Sequence, residues 1–548
     1  MTKLLIIGGV AGGATAAARA RRLDEHAEII VIERGDYVSF ANCGLPYFIG
    51  GVIETRDALL VATPETFKGK YNVEVRVRSE ALSIDREQRS VEIRDLKTGE
   101  VYRESYDKLI LSPGAEPLRP PLEGVDLEGV FNLRSIPDSE AIADFVTTRD
   151  PRAAVVVGGG FIGLEMAENL AHRGLAVTIV EMQDQVLLNL DYEMAVLLHD
   201  HLRSKGVVLN LGDGLSAIKK TNDRLLVQTT TGQGIECDLV LLSIGVRPES
   251  KLAREAGLRL TPRGHIVVDG VLRTSDPNIF AVGDSVQVND FVTGLPVTVA
   301  LAGPANRQGR LAADNALGRR SIYRGPSGTA VVKVFDLVAG STGPSERFLR
   351  DNRFPYLTGY THSGSHASYY PGSEDMAVKL LFSPGSGRVL GAQIIGGEGV
   401  DKRIDVLATA IRGGLTVFDL EELDLAYAPP FSSAKDPVNV AGHVAANILK
   451  GDVEMFPPRE VPSLDPARDV LVDLRFKEEL DEFPPIDGAL HIPLPQLRSR
   501  LKDLDPAKNY YLYCAIGLRG YLGHRVLTQN GFKSKNLAGG YSSYKPTA

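Results

Sequence analysis

Cysteine is scarce in this sequence: 548 residues hold three, Cys43, Cys237 and Cys514. Three cysteines cannot build a disulfide framework, and so few in so long a chain suit a reducing compartment. Positive charge is also short, with 61 Lys and Arg against 69 Asp and Glu and a net charge of −8. Nothing globally basic is available to neutralise a phosphate backbone, which excludes a general nucleic-acid binder. No apolar run is long enough to cross a bilayer, and the N-terminus enters a strand, LLIIGG, without the pattern of a secretion signal. These absences read as a cytoplasmic protein with no membrane or nucleic-acid partner, and no metal site is expected. The remaining composition, 43% apolar and 24% charged, is that of a globular protein, and the length calls for three or four domains.

Glycine is placed with more information. Lys3–Ile7 is a short apolar strand ending in Gly8-Gly9-Val10-Ala11-Gly12-Gly13, followed by an alanine-rich helix and a second strand that closes at Glu33. Such a loop lets the backbone approach a pyrophosphate at a helix N-terminus, while the acidic strand end accepts from ribose hydroxyls. The match departs from G-x-G-x-x-G at Val10. A second copy fits fully: strand 153–157, then Gly158, Gly160 and Gly163, a helix through Arg173, and a strand closed by Glu181. Two fingerprints with acidic ends imply two dinucleotides. Glu181 suits a free 2′-hydroxyl and repels a 2′-phosphate, and Met182, Gln183 and Asp184 supply no cation, so NADH is favoured over NADPH.

Between the two lies ERGDYVSFANCGLPY, residues 33–47, with Cys43 as its single cysteine. Farther on, LILSPGA (109–115) and LVLLSIGVRP (239–248) are buried strands running into glycine turns where the chain crosses between domains, and TSDPNIFAVGD ends at Asp284. This layout resembles the two-dinucleotide-binding flavoprotein disulfide reductases. The resemblance implies FAD on the first fingerprint (Gly8, Gly9, Gly13, Glu33), Asp284 at the flavin's ribityl chain, and NADH on the second fingerprint. Many members carry two cysteines five positions apart, but here Phe48 stands five after Cys43. The sequence is thus most similar to the single-cysteine branch, the coenzyme A-disulfide reductases, over roughly residues 1–450. A lone cysteine cannot store two electrons as an internal disulfide and must pair with a CoA thiol, a sulfane sulfur or an oxygen.

Coenzyme A is anionic. Arg19 and Arg22 share one flank of the first helix while Arg21 points elsewhere; alone they would be a solvated face, and the resemblance raises them, with Asn42, Phe67 and Lys70, to CoA contacts. From about residue 325 the pattern turns to shorter strands, 329–335 and 377–382, and a helix around 401–412, which the resemblance makes a homodimerisation domain covering the partner's active site. Tyr369 in H-A-S-Y-Y-P-G and Tyr427 in A-Y-A-P-P-F match the reductase motifs and are read as partners of a leaving thiolate. A proline-rich linker, 451–466, leads to a last unit in which strand 510–513 runs into Cys514-Ala-Ile-Gly-Leu-Arg519-Gly520 and a helix. That unit resembles a rhodanese domain, with Cys514 as sulfur acceptor, Arg519 on the loop rim, and Gly520 where many rhodaneses have Ser or Thr. Cys237, leading into a buried strand, is read as structural.

The expected fold is α/β: an FAD-binding domain (1–112 and 245–324) split by an NADH-binding domain (113–244), an α+β dimerisation domain (325–450), the linker, and the rhodanese domain (467–548). The expected activity is NADH- and FAD-dependent reduction of CoA persulfide, polysulfide or CoA disulfide through Cys43. The alternatives are a single-cysteine NADH oxidase or peroxidase, and a sulfur-trafficking protein whose flavin part is a redox sensor. If Glu181 sets the nicotinamide preference, kcat/KM should favour NADH over NADPH by about 1–3 kcal/mol, roughly 5- to 150-fold. Steady-state kinetics with both cofactors check this. Equal use of the two would remove the assignment, and Glu181→Arg should narrow or invert the gap.

Overall fold

The computed structural model describes residues 1–544. The chain forms two compact units, Met1–Val186 with Arg203–Pro326, and Leu187–Leu202 with the rest of the chain from Ser327 onward.

In the first unit one architecture is used twice. A parallel sheet ordered 279–281, 108–111, 3–7, 28–32, 74–76 carries the first glycine loop, and a second parallel sheet ordered 208–211, 176–181, 153–157, 239–242, 130–131 carries the second. The central strands, Lys3–Ile7 and Ala153–Val157, are nearly all buried, as strands covered by helices on both faces must be. Each sheet is accompanied by a three-stranded antiparallel meander (79–105 and 215–237). The two crossing segments read from sequence meet as an antiparallel pair, Ala115–Pro117 against Val246–Pro248. Cys237 is fully buried among Val155, Ile218 and Val240, and its thiol is pushed up to about 12 by that burial and then by Asp238, as a structural cysteine should be.

The second unit holds a five-stranded antiparallel sheet, in the order 330–334, 337–342, 389–396, 375–382, 357–364, with helices Val400–Gly413 and Pro437–Leu449. A C-terminal parallel sheet follows, ordered 455–456, 533–537, 509–513, 469–473, 490–491. Its outer strand, Met455–Phe456, comes from the stretch expected to be a semi-rigid linker: residues there hydrogen-bond alongside Asn536–Leu537, and Arg459 pairs with Glu346 at 2.9 Å. Asp473 and Arg475 form a fully buried ion pair at 2.7 Å beneath Tyr541, which explains why D-L-R sits at this strand end.

Residues 187–202 fall in the second unit, although the sequence placed them within the NADH-binding span. Two acids of this segment pair with a buried cation of that unit. Lys379, 0% exposed in the middle of the antiparallel sheet, is met by Asp191 at 2.8 Å, Glu193 at 2.6 Å and Glu346 at 2.6 Å. Asp191 is also held by Gln393, and Tyr360 donates to Glu193.

A buried cation with three carboxylate partners is costly to break from one side. Lys379→Met should therefore destabilise this unit by about 3–5 kcal/mol, seen as a lower urea midpoint in circular dichroism, and an unchanged midpoint would show that the cluster contributes nothing. Burial alone would raise the Glu346 and Glu193 carboxyls, but Lys379 outweighs it, holding Glu346 down to about 2 and Glu193 below its ordinary value. Such depressed groups contribute stability that is complete above the unfolded value of 4.5 and is lost as pH falls towards 2.

Candidate functional site

The two nucleotide loops are built alike. A side chain at Gly13 would bring its Cβ to 1.8 Å from the Gly8 carbonyl oxygen, and one at Gly163 to 2.0 Å from that of Gly158, so both helices can close on their strands only with glycine. Gly8 and Gly158 themselves have φ near +95° and +109°. Each acidic strand end reaches its own loop: Gly9 N–H donates to Glu33 at 2.8 Å, and Gly159 N–H to Glu181 at 2.7 Å. Neither helix has a capping side chain at its N-terminus, which leaves first-turn N–H groups for an anion. At Gly160 a Cβ would meet nothing within 4 Å, so the chain's own packing does not require glycine there. Both loops fit a dinucleotide.

Cys43 is exposed on the turn Asn42–Gly44, which runs directly into the short helix Leu45–Ile49. Its thiol is raised, by burial of the sulfur's surroundings first and then by the negative charges of Glu165 and Asp284. Asp284, half-buried on the turn Gly283–Ser285, is itself raised by burial against the opposing pull of Arg134. Cys43 and Asp284 are thus brought into one electrostatic neighbourhood from 241 positions apart in sequence. Two further members were missed by sequence reasoning. Tyr47, one helical turn after Cys43, donates to Glu165 at 3.4 Å, and is raised to about 12 by burial and by Glu165 and Glu168. Glu165 is raised to about 7, chiefly by burial. Only the four-residue step from Cys43 to Tyr47 was visible in sequence; nothing local relates residue 47 to 165.

The residues singled out for an anionic ligand separate. Arg22, Asn42 and Lys70 are exposed. Arg19 is half-buried and paired with Asp314 at 2.7 Å. Phe67 is 3% exposed and packs in the core of the first sheet against Tyr71, so its ring positions the helix Pro64–Tyr71 rather than offering a surface. Arg21 does point elsewhere, donating to five backbone carbonyls: those of Asp24, Glu25, Ala27, Tyr71 and Asn72.

In the second unit Tyr369 and Tyr427 meet, their hydroxyls 2.9 Å apart, from loops 58 positions apart in sequence. Both rings are open to solvent, Tyr369 by 74% and Tyr427 by 49%. Cys514 is fully buried at the end of strand Asn509–Tyr513, and its sulfur accepts from the Gly517 N–H at 3.1 Å just before the helix Leu518–Gln529. A sulfur anion is favoured by such a donor at a helix start. Arg519 is more than a rim residue: both guanidinium ends clamp Glu479, at 2.5 and 2.7 Å, while its charge faces Cys514 and its plane lies over Phe476. Gly520 has a packing reason, since a Cβ there would come within 2.0 Å of Asn536 Oδ1. Among the described residues no group of His, Cys, Asp and Glu could hold a metal ion, and no helix is long and apolar enough to cross a membrane.

Residues 2–309 match the pyridine nucleotide-disulphide oxidoreductases. The chain belongs to that family. It is an FAD-dependent oxidoreductase that uses NAD(H), and residues 329–437 match the dimerisation domain of the same family while 461–547 match rhodanese-like domains. It is 36% identical over 449 residues to a coenzyme A disulfide reductase of Staphylococcus haemolyticus, covering 82% of this chain and all of that protein. Among solved structures it is similar to reduced Bacillus anthracis CoADR-RHD (46% identity, TM-score 0.97, covering 99% of this chain and 97% of that one). It is also similar to a NAD-dependent persulfide reductase from A. fulgidus (39% identity, TM-score 0.92, 99% and 100% covered). A water-forming NADH oxidase from Lactobacillus brevis shares the oxidoreductase part (26% identity, TM-score 0.79, 82% of this chain and 99% of that one).

Proposed function

We propose that this oxidoreductase passes electrons from NADH to sulfur bonded to coenzyme A, reducing CoA persulfide, polysulfide or CoA disulfide at Cys43. The carrying observation is an exposed Cys43 at the head of a helix, with Phe48 where a second cysteine would close an internal disulfide. The names of the reductases similar to this chain, and its rhodanese-like unit, support the reading. A cysteine carrying sulfane sulfur has little use if the substrate contains none, which favours persulfide or polysulfide over plain CoA disulfide.

FAD is assigned to the loop Gly8–Gly13 with Glu33 and Asp284, and NADH to Gly158, Gly160, Gly163 and Glu181. When bound, FAD supplies the relay of an electron pair from NADH to the sulfur at Cys43. The Cys43 thiolate attacks the CoA-bound sulfur of a CoA persulfide: a bond forms between Cys43 and CoA sulfur, the persulfide bond breaks, and hydrosulfide leaves. Two electrons then split the mixed disulfide, restoring Cys43 and freeing CoA thiolate. The net change is NADH plus CoA persulfide to NAD⁺, CoA thiol and hydrosulfide. Arg22, Asn42 and Lys70 are free to meet the anionic and polar parts of CoA, and Arg19 joins them by exchanging Asp314 for a phosphate. In a homodimer, the Tyr369–Tyr427 pair of one copy serves the Cys43 site of the other, donating to the leaving thiolate. Cys514 collects sulfane sulfur, and free CoA thiol carries it to Cys43 by exchange.

Two substitutions test this reading. Cys43→Ser should keep FAD and its reduction by NADH while abolishing reduction of CoA persulfide and disulfide; retained turnover, or full turnover with oxygen and no need for CoA, would overturn it. Cys514→Ser should spare preformed CoA persulfide and impair polysulfide or thiosulfate-type donors, whose turnover in the unaltered protein should rise with free CoA. Equal loss on both substrates would place Cys514 in the flavin cycle, and no loss on either would leave the rhodanese unit a structural role.

A further inference from the structure

Two acids, Glu165 and Asp284, bear on Cys43, and the first has no cation to answer it. The helix Phe161–His172 lies against the short helix that Cys43 introduces, so closely that a Cβ on Gly50 would fall 1.9 Å from Asn169 Oδ1. One turn before Asn169 stands Glu165, and Asn169 fastens that turn by donating to the Glu165 carbonyl at 2.7 Å. The Glu165 carboxylate receives the Tyr47 hydroxyl at 3.4 Å, and no Lys or Arg among the described residues pairs with it. Facing it are Tyr47 from the helix Leu45–Ile49, buried Glu168 from its own helix, and, around Cys43, Asp284 from the turn 283–285. Burial, and then the charge of Glu168, make this carboxyl more stable carrying a proton, against the Tyr47 hydroxyl, which favours the ionised form.

We propose that Glu165, tied to Tyr47, is a positioning acid that stores a proton beside Cys43 and so governs how readily Cys43 becomes a thiolate. The proposal rests on the reading of Cys43 as the redox sulfur. When the mixed disulfide is split, negative charge appears on Cys43, and a neutral Glu165 accommodates it while an ionised Glu165 opposes it. The two groups titrate as a coupled pair: uptake of a proton at Glu165 accompanies formation of the thiolate. Since Glu165 is raised to about 7, it is largely neutral below neutrality and ionised above, so Cys43 becomes harder to ionise as pH climbs through that value. Tyr47, raised to about 12, stays protonated throughout and serves as the fixed donor.

The test is the pH dependence of iodoacetamide labelling at Cys43 in the FAD-loaded full chain, read by peptide mass spectrometry. No sulfur substrate is present, so the result does not depend on which compound the enzyme reduces, and failure of the reductase reading would show separately in the turnover of Cys43→Ser. Glu165→Gln should move the labelling midpoint to lower pH and sharpen it to a single-proton curve, giving about 3- to 10-fold faster labelling near pH 7.5, since one pKa unit is tenfold. Tyr47→Phe, which removes the hydrogen bond that favours ionised Glu165, should move it the same way by less, and Glu165→Asp should retain the broad profile. A midpoint unmoved in Glu165→Gln, or unmoved in Tyr47→Phe should the first variant lose FAD, overturns the proposal.

Discussion

Two contacts of backbone on backbone, Gly13 against the Gly8 carbonyl and Gly163 against the Gly158 carbonyl, set the geometry on which the oxidoreductase part depends. No side chain fits in either gap. Because the helix can therefore rest directly on its strand, its uncapped first turn aims at the crevice, and the acidic end of the next strand arrives within hydrogen-bond reach of the same loop. The second glycine loop repeats this device, and the same unit carries the turn of Cys43 and the turn of Asp284.

Much of this was legible in the sequence because it is local. The glycine spacings, Glu33 and Glu181, the turn around Cys43, and the loop from Cys514 to Arg519 all act within about two dozen residues of each other. What was not legible depends on partners far apart along the chain. Lys379 in an apolar strand pattern gives no sign that Asp191 and Glu193 are its counterions, so residues 187–202 were placed with the domain that precedes them. Phe67 was read as a CoA contact from the family resemblance, but its helix turns it inward to the core. Met455 and Phe456 are too short a run to announce a strand, and only a neighbouring sheet edge makes them one. Gly520 looked like a departure from a motif until Asn536 supplied the steric reason.

The two sulfur sites differ in kind. Cys43 is open to solvent and faces the charges of Glu165 and Asp284, a field that discourages negative charge. Cys514 is enclosed, with the Gly517 N–H on its sulfur and the Arg519 guanidinium facing it.

The Lys379 cluster has a consequence for anyone who would re-engineer the cofactor preference by exchanging modules. A graft bounded by the crossing strands, from residue 113 to 244, looks like a clean cassette, yet it would import a foreign 187–202 and set unselected side chains against a buried ammonium group. A graft that respects the electrostatics keeps Asp191 and Glu193 as they stand, so that Lys379 meets the same carboxylates. A viable chimera therefore takes the buried ammonium and its acids from one parent, whatever the origin of the nucleotide loop.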